Sequence, residues 1–113
     1  MTGSWILNRS LILEKPHRVE DGSGGFQTNW VQLGRLWAHL EPRRGRESFA
    51  GGRTRSQVPY RIVVRGAPVG AASRPCADQR FREGERVYEI LSVSEADARG
   101  NYLEIEALEG SRL

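Results

Sequence analysis

Alternation of apolar and polar positions runs through most of this 113-residue chain. In residues 29–42, NWVQLGRLWAHLEP, Leu36, Ala38 and Leu40 fall on one side, and Arg35, Trp37, His39 and Glu41 on the other. A period of two sends alternate side chains to opposite faces, so this stretch predicts a strand with one buried face. Residues 56–66, SQVPYRIVVRG, set Val58, Tyr60, Ile62 and Val64 against Arg61, Val63 and Arg65. Pro59 has no N–H to give to a ladder, which puts it at a sheet edge or among the first residues of its strand. Residues 102–109 alternate Leu103, Ile105 and Ala107 with Tyr102, Glu104 and Glu106. Two further strands are predicted at residues 5–15, with Ile6, Leu11 and Leu13, and at residues 86–95, RVYEILSVSE. A short one is predicted at 79–82.

The punctuation between these runs is that of a β protein. EDGSGGF, residues 20–26, is a dense turn signal, because glycine takes positive φ without steric cost and Asp favours turn initiation. Gly34, inside a predicted strand, marks a bulge or sharp bend of the kind small barrels need at their corners. Residues 67–78, APVGAASRPCAD, read as an irregular loop, and Glu83–Gly84 and ADARGN as turns. No segment sustains a helical period, and RESFAG, residues 46–51, makes a short helix at most. The expectation is a single domain over residues 1–113, mainly β: a small antiparallel β-barrel with a long projecting loop.

Charge singles out that loop. Residues 42–58 hold Arg43, Arg44, Arg46, Arg53 and Arg55 against Glu47, a net of +4, while the whole chain is +3. The rest of the chain is therefore about −1, and the basic character belongs to one loop rather than to the surface in general. Concentrated charge on a protruding segment points to an anionic partner. Gly45, Gly51 and Gly52 supply hinges within it.

Candidate chemistry is thin. His17 and His39 are far apart in sequence and from Cys76, and no CxxC or HxxxH spacing occurs, so no metal site and no cofactor is expected. Cys76 lies beside Pro75 without an indicated His partner and reads as an inert thiol. A lone cysteine cannot form an internal disulfide, which fits synthesis in a reducing cytoplasm. Glu104 and Glu106 share a strand face, which reads as a solvated or interface face rather than a catalytic carboxylate pair. GSGGF lacks the Lys-Ser/Thr of a phosphate-binding loop. Trp30 and Trp37 sit among apolar residues, where core or subunit interface is the default over base stacking. Only Phe49 is surrounded by arginines. No apolar run approaches the roughly 20 residues that span a bilayer. An enzyme is not expected, nor a membrane partner.

In order along the chain, LNRSLILEKP, EDGSGGFQTNWVQLGRLWAHLEP, GRESFAGG, YRIVVR and RFREGERVYEILSVSEADARGNYLEIEALE resemble the head–tail joining proteins of long-tailed phages, prophages and gene transfer agents, the head-completion or stopper family. The matching positions are Asp21, Gly22, Gly24, Gly25 and Trp30; Trp37, Ala38, Glu41 and Pro42; Gly45, Arg46, Glu47 and Ala50; Arg61, Ile62 and Arg65; and Tyr88, Ile90, Val93, Leu103 and Ile105. The resemblance implies a small β-barrel acting as one subunit of a homo-oligomeric ring, a hexamer or a dodecamer. Its place would be the virion neck, between the portal–adaptor complex on the head side and the tail terminator or tail tube. Double-stranded DNA would pass through the ring without sequence-specific contacts. It further implies that residues 42–58 project into the channel and help to close it after packaging. An arm of about 8 residues reaches roughly 26 Å, at about 3.3 Å per extended residue. Two other readings compete: another neck protein such as a tail terminator, and a sequence-independent nucleic-acid-binding β-barrel.

Overall fold

The computed structural model describes residues 5–43 and 57–110. They form six strands: β1 (Arg9–Glu20), β2 (Phe26–Pro42), β3 (Val58–Arg65), β4 (Arg80–Glu83), β5 (Arg86–Glu95) and β6 (Tyr102–Glu109). The strands close into an antiparallel barrel in the order β1-β2-β3-β6-β5-β4. The fold class is the one the alternation predicts, and no helix occurs among the described residues. The expected short helix at 46–51 lies outside them.

Every strand contributes to the core. Leu11 and Leu13 of β1, Ala38 of β2, Ile62 and Val64 of β3, Phe81 of β4, Tyr88 and Ile90 of β5, and Leu103, Ile105 and Ala107 of β6 are buried together. Burial of each larger side chain stabilises by about 1.5–3 kcal/mol, and closure leaves no open sheet edge around the wall. Pro59 is the second residue of β3, which lies between β2 and β6, so its position is a strand start and not an edge.

Gly34 marks a bulge, as its place in the sequence predicts. The β1–β2 register slips there, from Leu13↔Gly34 to Glu14↔Gln32, and Gly34 has φ +154°. The extra residue shifts the alternation, so Leu33 and Leu36, three apart, both pack against the core.

Strand β1 departs from the predicted 5–15. It begins at Arg9 and continues to Glu20. Residues 5–8 do not join the ladder. Instead Trp5 packs on Tyr102, with ring centroids 5.0 Å apart, and lies under the Arg61 guanidinium at 5.9 Å. Arg61 and Tyr102 flank the outward-facing Val63, which is fully buried although it belongs to no core cluster. Trp5 thus packs on the same outer face as Val63.

The far end of β1 pairs with β2 alone. Contact with β4 stops at Glu14, and contact of β2 with β3 starts only at Ala38. Residues 15–31 therefore form a two-stranded ribbon beyond the wall, closed by a tight turn in which Asp21 Oδ1 accepts hydrogen bonds from the Ser23 and Gly25 amides at 2.8 and 3.1 Å. These two amide bonds hold the Asp21 carboxyl below its ordinary range. Gly22 and Gly24 take φ of +85° and +87° in that turn. Sequence reading assigned a turn here but not the ribbon that carries it.

Candidate functional site at the root of the Arg-rich segment

Strands β2 and β3 deliver the Arg-rich segment to one end of the barrel. Their last rung is Pro42↔Tyr60, and beyond it the Arg43 amide donates to the Pro59 carbonyl at 2.8 Å. Arg43 is thereby fixed at the root. Arg44, Arg46, Arg53 and Arg55, and the hinges Gly45, Gly51 and Gly52, lie outside the described residues.

Beneath the root, inward positions near the strand ends carry polar groups instead of aliphatic ones. Arg9 grips Glu83 through two parallel bonds of 2.8 Å. Arg86 Nε meets Glu109 Oε2 at 2.8 Å, and Arg86 Nη2 donates to the Tyr60 hydroxyl at 3.1 Å. The Tyr88 hydroxyl donates to Glu83 at 3.4 Å, and the Tyr60 and Tyr88 rings meet edge to face, 5.3 Å between centroids. Six side chains from five strands thus cap the barrel end where the segment leaves.

Electrostatics explains why this cap is stable. The Arg9 hydrogen bond holds the Glu83 carboxyl below its ordinary range against the opposing effect of burial. The bond to Glu109 raises Arg86 further above its ordinary value. Burial pushes the Tyr88 phenol well up, so it stays a neutral donor. Two-pronged Arg–carboxylate bonds add geometric specificity as well as strength, which fixes the strand ends from which the Arg-rich segment departs. Part of the signal for this cap was in the sequence: Tyr60, Arg86, Tyr88 and Glu109 fall at inward parity near the ends of recognised strands, whereas Glu83 reads as a turn residue and is the last residue of β4.

The remaining candidates disperse. His17 is exposed on the ribbon, and His39 lies 3.9 Å from Glu41. Cys76 is a free, exposed thiol. Among the described residues no group of three or more His, Cys, Asp or Glu is placed to hold a metal. Glu104 and Glu106 differ in surroundings: Arg61 holds Glu104 at 3.0 Å, whereas Glu106 is exposed. Of the two places expected for the tryptophans, core or subunit interface, the core is excluded for Trp37, which is 57% exposed on the outer wall. Trp30 lies under the Arg80 guanidinium at 4.0 Å, at the base of the ribbon. The near-neutral remainder of the chain is also not uniform. Residues 83–109 hold eight carboxylates against Arg86 and Arg99, a net of −6.

A family model, the phage head completion protein, matches residues 6–110. The chain belongs to the phage head completion protein family. That match spans all six strands, the ribbon, the Arg-rich segment and the polar cap. A chain from the virion of a native gene transfer agent particle is 46% identical, with a TM-score of 0.78, over 95% of this chain and 98% of that one. Protein SF1141 from Shigella flexneri 2a, solved in solution, is 21% identical with a TM-score of 0.65 over 95% of this chain and 96% of that one, and shares the fold. No curated protein matches. Within a head completion protein, the cap and the segment it supports are the natural place to look for function.

Proposed function

We propose that this head completion protein is a structural subunit of the ring-shaped neck connector, or stopper, joining a DNA-filled head to its tail in a phage-type particle, and that residues 42–58 project into the channel to retain and gate DNA. One observation carries the reading. An Arg-rich segment with a net charge of +4 departs from adjoining strands at one end of a closed barrel, over a cap of paired charges. The cap pairs its own charges with one another, so it offers no spare carboxylate to the arginines of the segment. Packaged DNA is the anion proposed for them. In a ring, copies of the segment meet near the axis, repel each other when the channel is empty and are neutralised by phosphates when it is filled. Contacts of this kind carry no sequence information, as suits a channel that passes any DNA.

The role is structural, without cofactor or turnover. The ring is a hexamer or dodecamer, with the portal–adaptor complex on one side and the tail terminator or tube on the other. Its site is the virion neck, after synthesis in the bacterial cytoplasm. Membership of the head completion family and the 46% identity to a virion chain support this placement.

The decisive experiment deletes residues 44–55, keeping Arg43 and its bond to Pro59, and joins the ends with a short glycine linker. The barrel stays folded, the protein enters particles, and those particles lose DNA. Particles that keep their DNA normally would remove the gating role. Tight, salt-sensitive DNA binding by the isolated monomer would favour an independent nucleic-acid-binding barrel instead.

A further inference from the structure

We infer that successive copies of this chain meet through two different walls of the barrel, the β1–β2 wall of one copy seating against the β5–β6 wall of the next. The inference rests on the reading of the protein as a ring subunit and names the surfaces that build the ring.

The strand order places the β1–β2 seam across the barrel from the β6–β5 seam. The outward positions of β5 and β6 carry Glu89, Glu104 and Glu106 and no lysine or arginine. Arg61 of β3 holds Glu104, while Glu89 and Glu106 are exposed and make no salt bridge among the described residues. Between them β5 has a bulge, where the register passes from Ile90↔Ala107 to Ser92↔Glu106. Leu91 is the extra residue, and it stands 51% exposed in the middle of the acidic wall.

The opposite wall has the complementary character. Arg35 and Trp37 face outward on β2, beside Ser10 and Ile12 of β1. Arg80 and Arg82 flank them on β4, which also borders β5 at Arg80↔Glu89, and the buried Glu14 accepts from both. Arg35, Arg80 and Arg82 stand here against Glu14 and Glu41, and Arg61 holds Glu41 at 3.1 Å, whereas the other wall carries Glu89, Glu104 and Glu106. Each wall also presents one large exposed apolar residue, Trp37 or Leu91.

These contents select the pairing. Acidic wall against acidic wall repels, as does basic against basic, so a two-fold contact through either wall alone is disfavoured. Unlike walls attract, and charge matching fixes register and rejects wrong partners. Trp and Arg are the residue types that concentrate binding energy at interface centres. A contact between unlike faces on opposed sides of a subunit is head-to-tail, and it closes into a ring when the rotation allows.

The test uses particles assembled from the full chain with Cys76→Ser, so that no native thiol interferes. Trp37→Cys and Leu91→Cys are added together, and the particles are treated with a short bismaleimide linker. The expected result is a ladder of covalent multimers on a denaturing gel, with none from either cysteine alone. A glutaraldehyde ladder without a bismaleimide ladder overturns this interface and leaves the ring reading standing. Absence of both ladders overturns the ring reading, and the interface with it. Should the cysteine pair not be incorporated, charge reversal decides. Arg35→Glu lowers incorporation about ten-fold, and adding Glu89→Arg with Glu106→Arg restores most of it. Failure of that restoration overturns the pairing.

Discussion

Single residues show where the barrel spends its polar groups. Glu14 is almost fully buried, and it closes the seam between β1 and β4 by accepting from Arg80 at 2.7 Å and Arg82 at 2.9 Å. Burial works to raise its pKa, but the two arginines outweigh burial and hold the carboxyl below its ordinary value. A folded-state pKa below the unfolded one gives stability that is fully present above the unfolded value and lost as pH falls through the folded one. The melting temperature of the wild type therefore drops on acidification below about pH 4.5, and Glu14→Gln flattens that drop. At neutral pH the same variant is less stable by about 1–3 kcal/mol in urea unfolding, less than for a fully buried pair because both arginines can rehydrate. An unchanged acid profile in Glu14→Gln would contradict this assignment. Gly66 is constrained differently. Its amide donates to the Asn101 carbonyl at 2.7 Å, and an added Cβ would run into the Gly100 carbonyl oxygen. The obstacle is backbone, which cannot swing aside, so Gly66→Ala costs about 1–3 kcal/mol by the same measurement.

Among the elements, the β1–β2 hairpin differs most from expectation. Strand β6, the first half of β5 and the buried face of β2 beyond Gly34 were legible because apolar and polar residues alternate there without interruption. β3 was legible for the same reason, except that Val63 is fully buried at an outward position. The ribbon was not legible because alternation reports a buried face, and residues 15–31 have none: most are exposed on both sides. Its strands are held by one ladder and a turn. The polar cap was missed for a related reason, since nothing in the alternation pairs Arg86 with Glu109 until the barrel brings them within 2.8 Å. An isolated two-stranded hairpin is marginal in water. Amides of residues 15–20 and 26–31 should therefore exchange at least about a hundred-fold faster than those of Ile62–Val64 in the free chain. Mass-spectrometric hydrogen exchange reads this directly, and equal protection in the monomer would show that the ribbon is packed against something in the free protein. Loss of the difference on assembly would place the ribbon at a contact in the particle.

For the molecule as a whole, shape and charge are both polarised. The Cα radius of gyration is 15.0 Å, against about 13 Å for a compact domain of this size, because β2 runs from the ribbon through the wall to the root of the Arg-rich segment. The ribbon and the root of the Arg-rich segment lie at opposite ends of the barrel, since β2 runs from one to the other. Charge is divided as well: the segment is +4, while residues 83–109 are −6. A reading of the chain as a neutral body with one basic loop averages over this division. The division matters for the final prediction, which separates the loop's charge from its mere presence. Reversing Arg43, Arg44 and Arg53 to Glu changes the segment from +4 to −2 without shortening it. If the segment acts on DNA through charge, particles with the reversal assemble in near-normal number but lose packaged DNA at least about ten-fold faster at low salt, and the gap narrows as salt screens the contact. Nuclease-resistant DNA per particle, followed over time at two ionic strengths, reads both quantities. Were retention normal, the segment would act as a steric plug, and only its deletion would open the channel. Were assembly to fail instead, the arginines would belong to contacts between copies, and the acidic face of residues 83–109 would be the first place to look for what they meet.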